Sequence, residues 1–138
     1  MTVEYNKKIH RMYDAPGKRA VAEYLARTYP EHDFQEGSQY GIDLVCLCPK
    51  GPHFIEVEVK GEWFGRPFPY RTVHIPERKE KWFNMRATLW VVSSDYKYAV
   101  VVSPRHCTKK ITLPYNSRSE IPEDFYDVPL SKCNQLVL

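Results

Sequence analysis

The sequence lacks most of the features that mark membrane, secreted or cofactor-binding proteins. Its 138 residues contain no signal-peptide core and no apolar run near the roughly eighteen residues that a membrane span requires. No Gly-x-Ser-x-Gly motif, glycine-rich phosphate loop or dinucleotide-binding fingerprint is present. The net charge of +3 is small, so an anionic partner is permitted but not required. We expect a single domain in the cytoplasm, without membrane contact.

The chain has four cysteines, too few for a disulfide-dense scaffold. Cys46 and Cys48 lie in an apolar segment, where reduced and buried thiols are the expected state. A disulfide framework is the less favoured alternative, and reduced thiols fit a cytoplasmic setting. A conceivable zinc set is His53, His74, His106 and Cys107. They have no Cys-x₂-Cys or His-x₃-His spacing, so we do not expect zinc.

Apolar periodicity predicts an α/β or α+β domain with a mixed central sheet. Ala15-Pro16-Gly17 separates an N-terminal arm at residues 1–14 from a helix over residues 18–29. A second helix is predicted over residues 76–85, because Pro76 suits a first helical turn. The predicted strands are residues 33–36, 42–48, 53–61, 71–75, 88–93 and 98–103. Residues 62–70 are expected to form a loop, and residues 104–138 an irregular extension with at most one further strand.

The predicted strand at residues 53–61 alternates strictly between apolar and charged side chains. Glu56, Glu58 and Lys60 therefore share one face, with neighbours two apart separated by roughly 6–7 Å. Asp43 lies in the preceding apolar strand, and the intervening turn favours pairing of the two strands. Carboxylates can hold Mg²⁺, and a nearby lysine can activate water and offset charge on a phosphate. This set of groups suits the hydrolysis of a phosphodiester.

These residues resemble a known family. Gly41-Ile42-Asp43 is followed by Glu58-Val59-Lys60, in a helix-strand-strand-strand-helix-strand order. That combination resembles the PD-(D/E)XK nuclease superfamily, which includes restriction endonucleases and archaeal-type Holliday-junction resolvases. The resemblance covers about residues 17–103 and implies a restriction-endonuclease-like core with a central sheet flanked by helices (αβββαβ). Ile42 replaces the proline of the name-giving pattern, as is common in the resolvase-like branch.

The resemblance also implies the roles of individual residues. Asp43 and Glu58 would bind Mg²⁺ or Mn²⁺, with the Val59 carbonyl as a further ligand. Lys60 would be the catalytic lysine, and Glu23 stands where many members carry a glutamate on the first helix. The acid-x-Lys tripeptide alone carries little weight, since another copy occurs at residues 77–79, at the start of a predicted helix.

Structural alternatives stay open for these acids. The three charges of the strand are also typical of a solvated sheet face, and Glu23 of a surface helix position. Glu56 is additional to the family pattern. It could bind a second metal, but we favour a solvated side chain.

The segment from Trp63 to Arg71 mixes aromatic side chains with arginines, directly after Lys60. Such a mixture can stack on unpaired bases and bind phosphates, although the aromatics could equally cover the edge of the core. The predicted nucleic-acid contacts are Lys18, Arg19, Trp63, Arg66, Arg71, Arg78 and Lys79. As solubilising surface charges, the basic residues near the two helices need no further explanation.

The sequence thus predicts a Mg²⁺-dependent endonuclease that hydrolyses phosphodiester bonds in DNA. A chain of 138 residues leaves no room for a separate reading domain. We expect selectivity for structured, branched or single-stranded DNA, with a homodimer as one way to achieve it. A short sequence and RNA are open alternatives. The competing interpretation is a catalytically inactive nuclease-fold protein that binds nucleic acid or a protein partner.

Overall fold

The computed structural model describes residues 2–37, 41–113 and 122–138, with residues 2–14 described by their helical backbone. The helix α1 spans Thr2–Thr28. The strands are β1 (Asp33–Glu36), β2 (Leu44–Cys48), β3 (Gly51–Lys60), β4 (Thr72–Pro76), β5 (Ala87–Ser93), β6 (Tyr98–Val102), β7 (Lys110–Leu113), β8 (Glu123–Pro129) and β9 (Asn134–Val137). Short 3₁₀ helices occupy Glu77–Trp82, Pro104–His106 and Leu130–Lys132.

The strands form two sheets. One has six strands in the order β1-β2-β3-β5-β6-β9, and the other has three in the order β4-β8-β7. β3 and β5 run parallel, whereas β2 and β3 form an antiparallel hairpin. The predicted mixed sheet and α+β class are confirmed. Within the described ranges, no helix has both the length and the apolarity needed to cross a bilayer.

The helix α1 packs on one face of the six-stranded sheet. Val21 and Leu25 are buried there against Val57 and Val59 of β3. The approach is closest at Gly17, where a Cβ atom would lie 2.5 Å from Cγ2 of Val59. The predicted break at residues 15–17 is wrong, because α1 continues through Pro16. A proline costs one helical hydrogen bond, and here packing on the sheet holds the helix after it together.

The opposite face of the six-stranded sheet packs on the three-stranded sheet. Leu89 and Val91 of β5 join Val73, Ile75 and Val128 in a second buried cluster. Because successive strand residues point to opposite faces, β3 directs its valines toward α1 and its charged residues toward the second sheet. The charged face therefore lies in a cleft between two sheets rather than on an open, solvated surface.

The predicted helix over residues 76–85 is wrong. Pro76 ends β4, and Glu77–Trp82 forms a 3₁₀ helix before β5 begins at Ala87. In this helix only Trp82 is buried, so the segment has no apolar stripe that would support a longer α-helix. The predicted arrangement with a second flanking α-helix is thus not observed in the described residues.

The prediction of a largely irregular C-terminal extension is also wrong. Three strands lie there, β7, β8 and β9. β8 pairs with β4, and β9 pairs with β6 at the edge of the six-stranded sheet. Their pairing partners lie far away along the chain, so short-range sequence patterns gave little indication of them.

Candidate functional site

The β2–β3 hairpin decides which carboxylates meet. Leu44 lies opposite Ile55, and one step further along the hairpin Asp43 comes opposite Glu56. Oδ2 of Asp43 accepts a hydrogen bond of 2.7 Å from the backbone N–H of Val57. This bond extends the hairpin beyond its last ladder pair and fixes the Asp43 carboxylate beside Glu56.

Glu56 is one of the less exposed charged side chains of the cleft, with 15% of its side chain accessible. Nζ of Lys79 lies 2.6 Å from its Oε1. Burial raises the pKa of Glu56, the nearby charge of Asp43 raises it further, and Lys79 acts in the opposite direction. The expectation of a solvated Glu56 is therefore wrong, because the second sheet and the 3₁₀ helix cover this part of β3.

Lys79 reaches Glu56 from the 3₁₀ helix Glu77–Trp82. That helix is anchored by the buried indole of Trp82, which packs in a small cluster. The other members of the cluster are Ile42, Val45, Phe54 and Ala87. Since Ile42 and Val45 flank Asp43 in sequence, one packed cluster orients both the aspartate and the lysine.

Asp43 has an ammonium partner as well. Nζ of Lys18 lies 3.4 Å from Oδ1 of Asp43 and 3.4 Å from Oε1 of Glu36. The two facing carboxylates, Asp43 and Glu56, are thus each accompanied by one lysine. Because Lys18 also contacts Glu36, the group contains three carboxylates and two ammonium groups.

Glu58 and Lys60 continue along the same face of β3. Glu58 is 33% exposed and lies 3.9 Å from Nη2 of Arg78. Lys60 contacts Glu62 at 3.1 Å, and its Nζ lies 5.8 Å from the centre of the Tyr70 ring. Along the strand, Lys60 is roughly 13 Å from Glu56. The structure therefore brings Asp43 and Glu56 together. Glu58 lies two residues further along β3, and Lys60 is the last residue of that strand.

Two further predicted residues lie away from this face. The Val59 side chain is buried toward α1, and the residue pairs with Val92 in the parallel ladder. The predicted metal ligand at Val59 is its backbone carbonyl, and that role stays a prediction. Glu23 is exposed and lies about 160° around α1 from the buried Val21. In the described part of the chain, Glu23 has no hydrogen bond or ion pair to Asp43. The structure does not bring Glu23 to the site.

The predicted nucleic-acid contacts are scattered. Trp63 is only 1% exposed and donates from Nε1 to the Arg66 carbonyl at 2.6 Å, so its prediction as a base-contacting residue is wrong. The exposed aromatics of this loop are Phe64 and Tyr70. Of the predicted basic contacts, the exposed ones are Arg19, Arg66, Arg71 and Arg78, whereas Lys18 and Lys79 are paired with site carboxylates.

The cleft at Glu56, Glu58 and Lys79 is narrow. It encloses a cavity of about 10 Å³, closed on the other side by Ile75 and Val91. A cavity of this size holds about one water molecule or ion. A phosphate group would therefore have to approach from the rim, where Asp43 and Arg78 stand.

The pairing of Asp43 with Glu56 was missed from the sequence, although a signal for it exists. Cys48 lies opposite Gly51, so the hairpin turns through Pro49 and Lys50 alone. Counting outward from that turn brings residue 43 opposite residue 56. No sequence signal identifies Lys79 as the partner of Glu56, because their contact joins two sheets.

No protein-family model, no curated protein and no solved structure matches the chain.

Proposed function

We propose that the chain is a metal-dependent nuclease that hydrolyses phosphodiester bonds in DNA. The observation that carries the proposal is the pair of facing carboxylates, Asp43 and Glu56, each accompanied by a lysine. Carboxylate oxygens are the ligands that Mg²⁺ and Mn²⁺ prefer. A divalent ion held by these two residues would supply charge neutralisation and an activated water.

Without a metal, the two lysines balance the charge of the two carboxylates, and a divalent ion would take over that task. Lys79 is 15% exposed and stands beside Glu56. It would offer an ammonium to a phosphate at the rim, in place of the distant Lys60. Glu58, two residues along β3, lies 3.9 Å from Nη2 of Arg78 and is not required for binding the ion in this proposal.

The proposed substrate is DNA, reached from the rim of the cleft. Arg66 and Arg71 are exposed on the loop that follows Lys60, and Phe64 has 69% of its surface accessible. Such a loop suits phosphates and unpaired bases, which favours structured, branched or single-stranded DNA. A homodimer would present two such sites. The four free cysteines fit a reducing, cytoplasmic setting.

The experiment combines a cleavage assay with calorimetric titration of Mg²⁺ and Mn²⁺. Duplex, single-stranded and branched DNA and RNA serve as substrates. We expect Glu56→Gln and Lys79→Met to lower the cleavage rate by at least about 10²-fold, a typical loss for a catalytic group. Glu58→Gln and Lys60→Met are the matched controls, since they lie on the same strand face and are expected to retain most activity.

The Glu58 and Lys60 variants could instead lose more activity than the Glu56 and Lys79 variants. The catalytic set would then be Asp43, Glu58 and Lys60, as the family resemblance implies. Cleavage that survives Asp43→Asn would contradict both sets. Asparagine is the informative substitution, because its side-chain oxygen still accepts the Val57 N–H while its negative charge is gone. Asp43→Ala also removes that acceptor and is expected to cost about 1–3 kcal/mol of stability.

A second candidate is a nuclease-fold protein that binds nucleic acid or a protein partner without cleaving it. The closed cleft favours this alternative, since its cavity of about 10 Å³ is bordered by an ion pair of 2.6 Å. Calorimetry separates the two functions. No heat of Mn²⁺ binding, together with DNA binding that is lost in Arg66→Ala/Arg71→Ala, would support the non-catalytic function.

A further inference from the structure

A second set of potential metal ligands lies on the opposite face of the six-stranded sheet from Glu56. Cys46 and Cys48 are two residues apart in β2, so both point to the α1 side, together with Leu44. His32 lies in the turn between α1 and β1 and approaches the same place. The α1–β1 turn and β2 thus bring two sulfurs and an imidazole together.

The distances are those of a compact site. Nδ1 of His32 lies 3.8 Å from Sγ of Cys46, and Sγ of Cys46 lies 2.8 Å from Sγ of Cys48. All three potential ligand atoms lie within 4.8 Å of one another. Around a tetrahedral Zn²⁺ with bonds of about 2.0–2.3 Å, ligand atoms are about 3.5–3.8 Å apart. The His32–Cys46 distance meets this value, and the two sulfurs would need to separate by roughly 1 Å.

We propose that His32, Cys46 and Cys48 form a binding site for a transition metal, with Zn²⁺ as the best match. Two thiolates and an imidazole are soft or borderline ligands, which favour zinc over Mg²⁺ or Ca²⁺. A disulfide is a poorer use of the two cysteines. Neighbours two apart in a strand have Cα atoms about 6.6 Å apart and nearly parallel Cβ directions, at the limit of disulfide geometry.

The surroundings of His32 support a ligand role. Its Nε2 lies 3.8 Å from Oε1 of Glu31, on the side of the ring away from Cys46. Its ring stacks on Tyr29 with an interplanar angle of 12° and a centroid distance of 5.8 Å. Metal-binding histidines commonly have a carboxylate at the second nitrogen, which orients the ring and fixes the tautomer. His32 has both the orienting stack and the nearby carboxylate.

The fourth coordination position faces a cavity of about 390 Å³ between α1 and the sheet. His53 lines this cavity directly opposite Cys46 in the hairpin, and its Nε2 lies 3.2 Å from Oγ1 of Thr88. Cross-strand neighbours have Cβ atoms about 4.5–5.5 Å apart, so a ring rotation that releases Thr88 would bring His53 toward the ion. Either His53 or water would complete the shell.

A metal at this position would join the end of α1 to β2. His32 follows the helix after four residues, and β2 lies next to β3 in the sheet. The ion would therefore act as a crosslink that is independent of the carboxylate pair on the other face. Loss of the zinc site would leave the proposed nuclease site intact, and loss of the nuclease site would leave the zinc site intact.

The test uses the full chain, reduced and stripped of metal with a chelator, and titrated with Co²⁺ and then Zn²⁺. We expect one equivalent of Co²⁺ to give thiolate-to-cobalt charge-transfer absorption that Zn²⁺ abolishes. Cys48→Ser and His32→Ala should each weaken Zn²⁺ binding at least about tenfold, the size of effect found even for supporting residues of metal sites. Cys133→Ser is the matched control, since Cys133 is a partly exposed free thiol outside the cluster, and should bind as the unaltered chain does.

Thiol labelling provides a second measurement. Zn²⁺ should protect Cys48 from alkylation, as detected by mass spectrometry, while Cys133 continues to react. Cys48 is preferred over the buried Cys46 because its replacement disturbs the core least, and a cooperative thermal unfolding transition verifies that each variant folds. Equal Zn²⁺ affinity in Cys48→Ser and Cys133→Ser, or cobalt spectra without a thiolate band, would overturn the proposal.

Discussion

At the scale of single residues, the site depends on strand register. Asp43 meets Glu56 because Leu44 lies opposite Ile55 in the hairpin. A slip of two residues would keep every side chain on its face and bring Glu58 opposite Asp43 instead. The difference between the expected site and the observed one is therefore a register shift of two residues, and the two-residue turn fixes the register.

Asp95 is another residue whose role depends on its hydrogen bonds. Its carboxylate accepts bonds from Oγ of Ser93 at 2.6 Å and from the N–H of Gly65 at 3.1 Å. Burial acts to raise the pKa of Asp95, but these bonds outweigh it and hold the pKa below its ordinary value of 3.8. The side chain thereby ties the β5–β6 hairpin to the loop after β3.

Asp95→Asn is predicted to lower the free energy of unfolding at neutral pH by about 1 kcal/mol, a low value because the side chain is only partly buried. A carboxylate with a depressed pKa stabilises the fold above its unfolded-state pKa, and this stabilisation is lost as the pH falls through its folded-state pKa. The difference between the two proteins should therefore shrink below about pH 3.8. Urea denaturation across a pH series measures it.

Ser93→Ala provides the companion variant, because it removes the strongest donor to Asp95. It should also reduce the loss of stability on acidification. A stability difference for Asp95→Asn that stays constant from pH 7 to pH 2.5 would contradict the assigned hydrogen-bond role.

At the scale of elements, the 3₁₀ helix Glu77–Trp82 contributes one buried side chain to the core. Trp82 is its buried residue, and it packs against Ile42, Val45 and Phe54 beneath Asp43. The indole Nε1 is buried without a hydrogen-bond partner among the described residues. The contribution of Trp82 is therefore packing, and this packing places Lys79 on Glu56.

Trp82→Ala is predicted to destabilise the fold by about 3–5 kcal/mol, as expected for removing a large buried aromatic side chain. Trp82→Phe should cost less than Trp82→Ala, since one aromatic ring remains and the lost N–H makes no bond. Thermal and urea denaturation measure both values. Equal losses of stability in the two variants would contradict the packing role and would show that the indole N–H contributes through a hydrogen bond.

At the scale of the whole molecule, the fold consists of two sheets that share one buried core. β4 pairs only with β8 in the described residues, and Val73 and Ile75 face Val128 and Tyr126 across that pair. The strands after residue 103 thus complete both sheets. The core expected from the sequence, residues 17–103, is not a closed structural unit.

A chain truncated after residue 103 is predicted not to fold. It would leave β4 without its partner, expose the buried residues of β4 and β6, and open the edge of β6 that β9 covers. Such exposed strand edges and apolar faces favour aggregation. Circular dichroism and a cooperative unfolding transition provide the measurement, with the full chain as control. A soluble truncated chain that unfolds cooperatively would contradict this prediction and would show that residues 17–103 contain a core that folds without the later strands.

The sequence by itself determined the local elements. Period-2 alternation located β3 and its two faces, β-branched runs located β5 and β6, and turn residues located the β2–β3 hairpin. It also identified Asp43 as the acid that meets this charged face. These features depend on neighbours within a few residues, and such patterns are visible in a linear chain.

Only the tertiary structure decided what those elements contact. The second sheet covers the charged face of β3, so that Glu56 becomes a covered partner of Asp43 and Lys79. Packing against the sheet carries α1 through Pro16, buries Trp63 in the core, and gathers His32 beside two cysteines. Each of these contacts joins residues that are distant in sequence, and their energies come from burial and charge in three dimensions. The sequence therefore predicted the charged strand that holds the candidate site, and the packing of two sheets decided which of its charges meet.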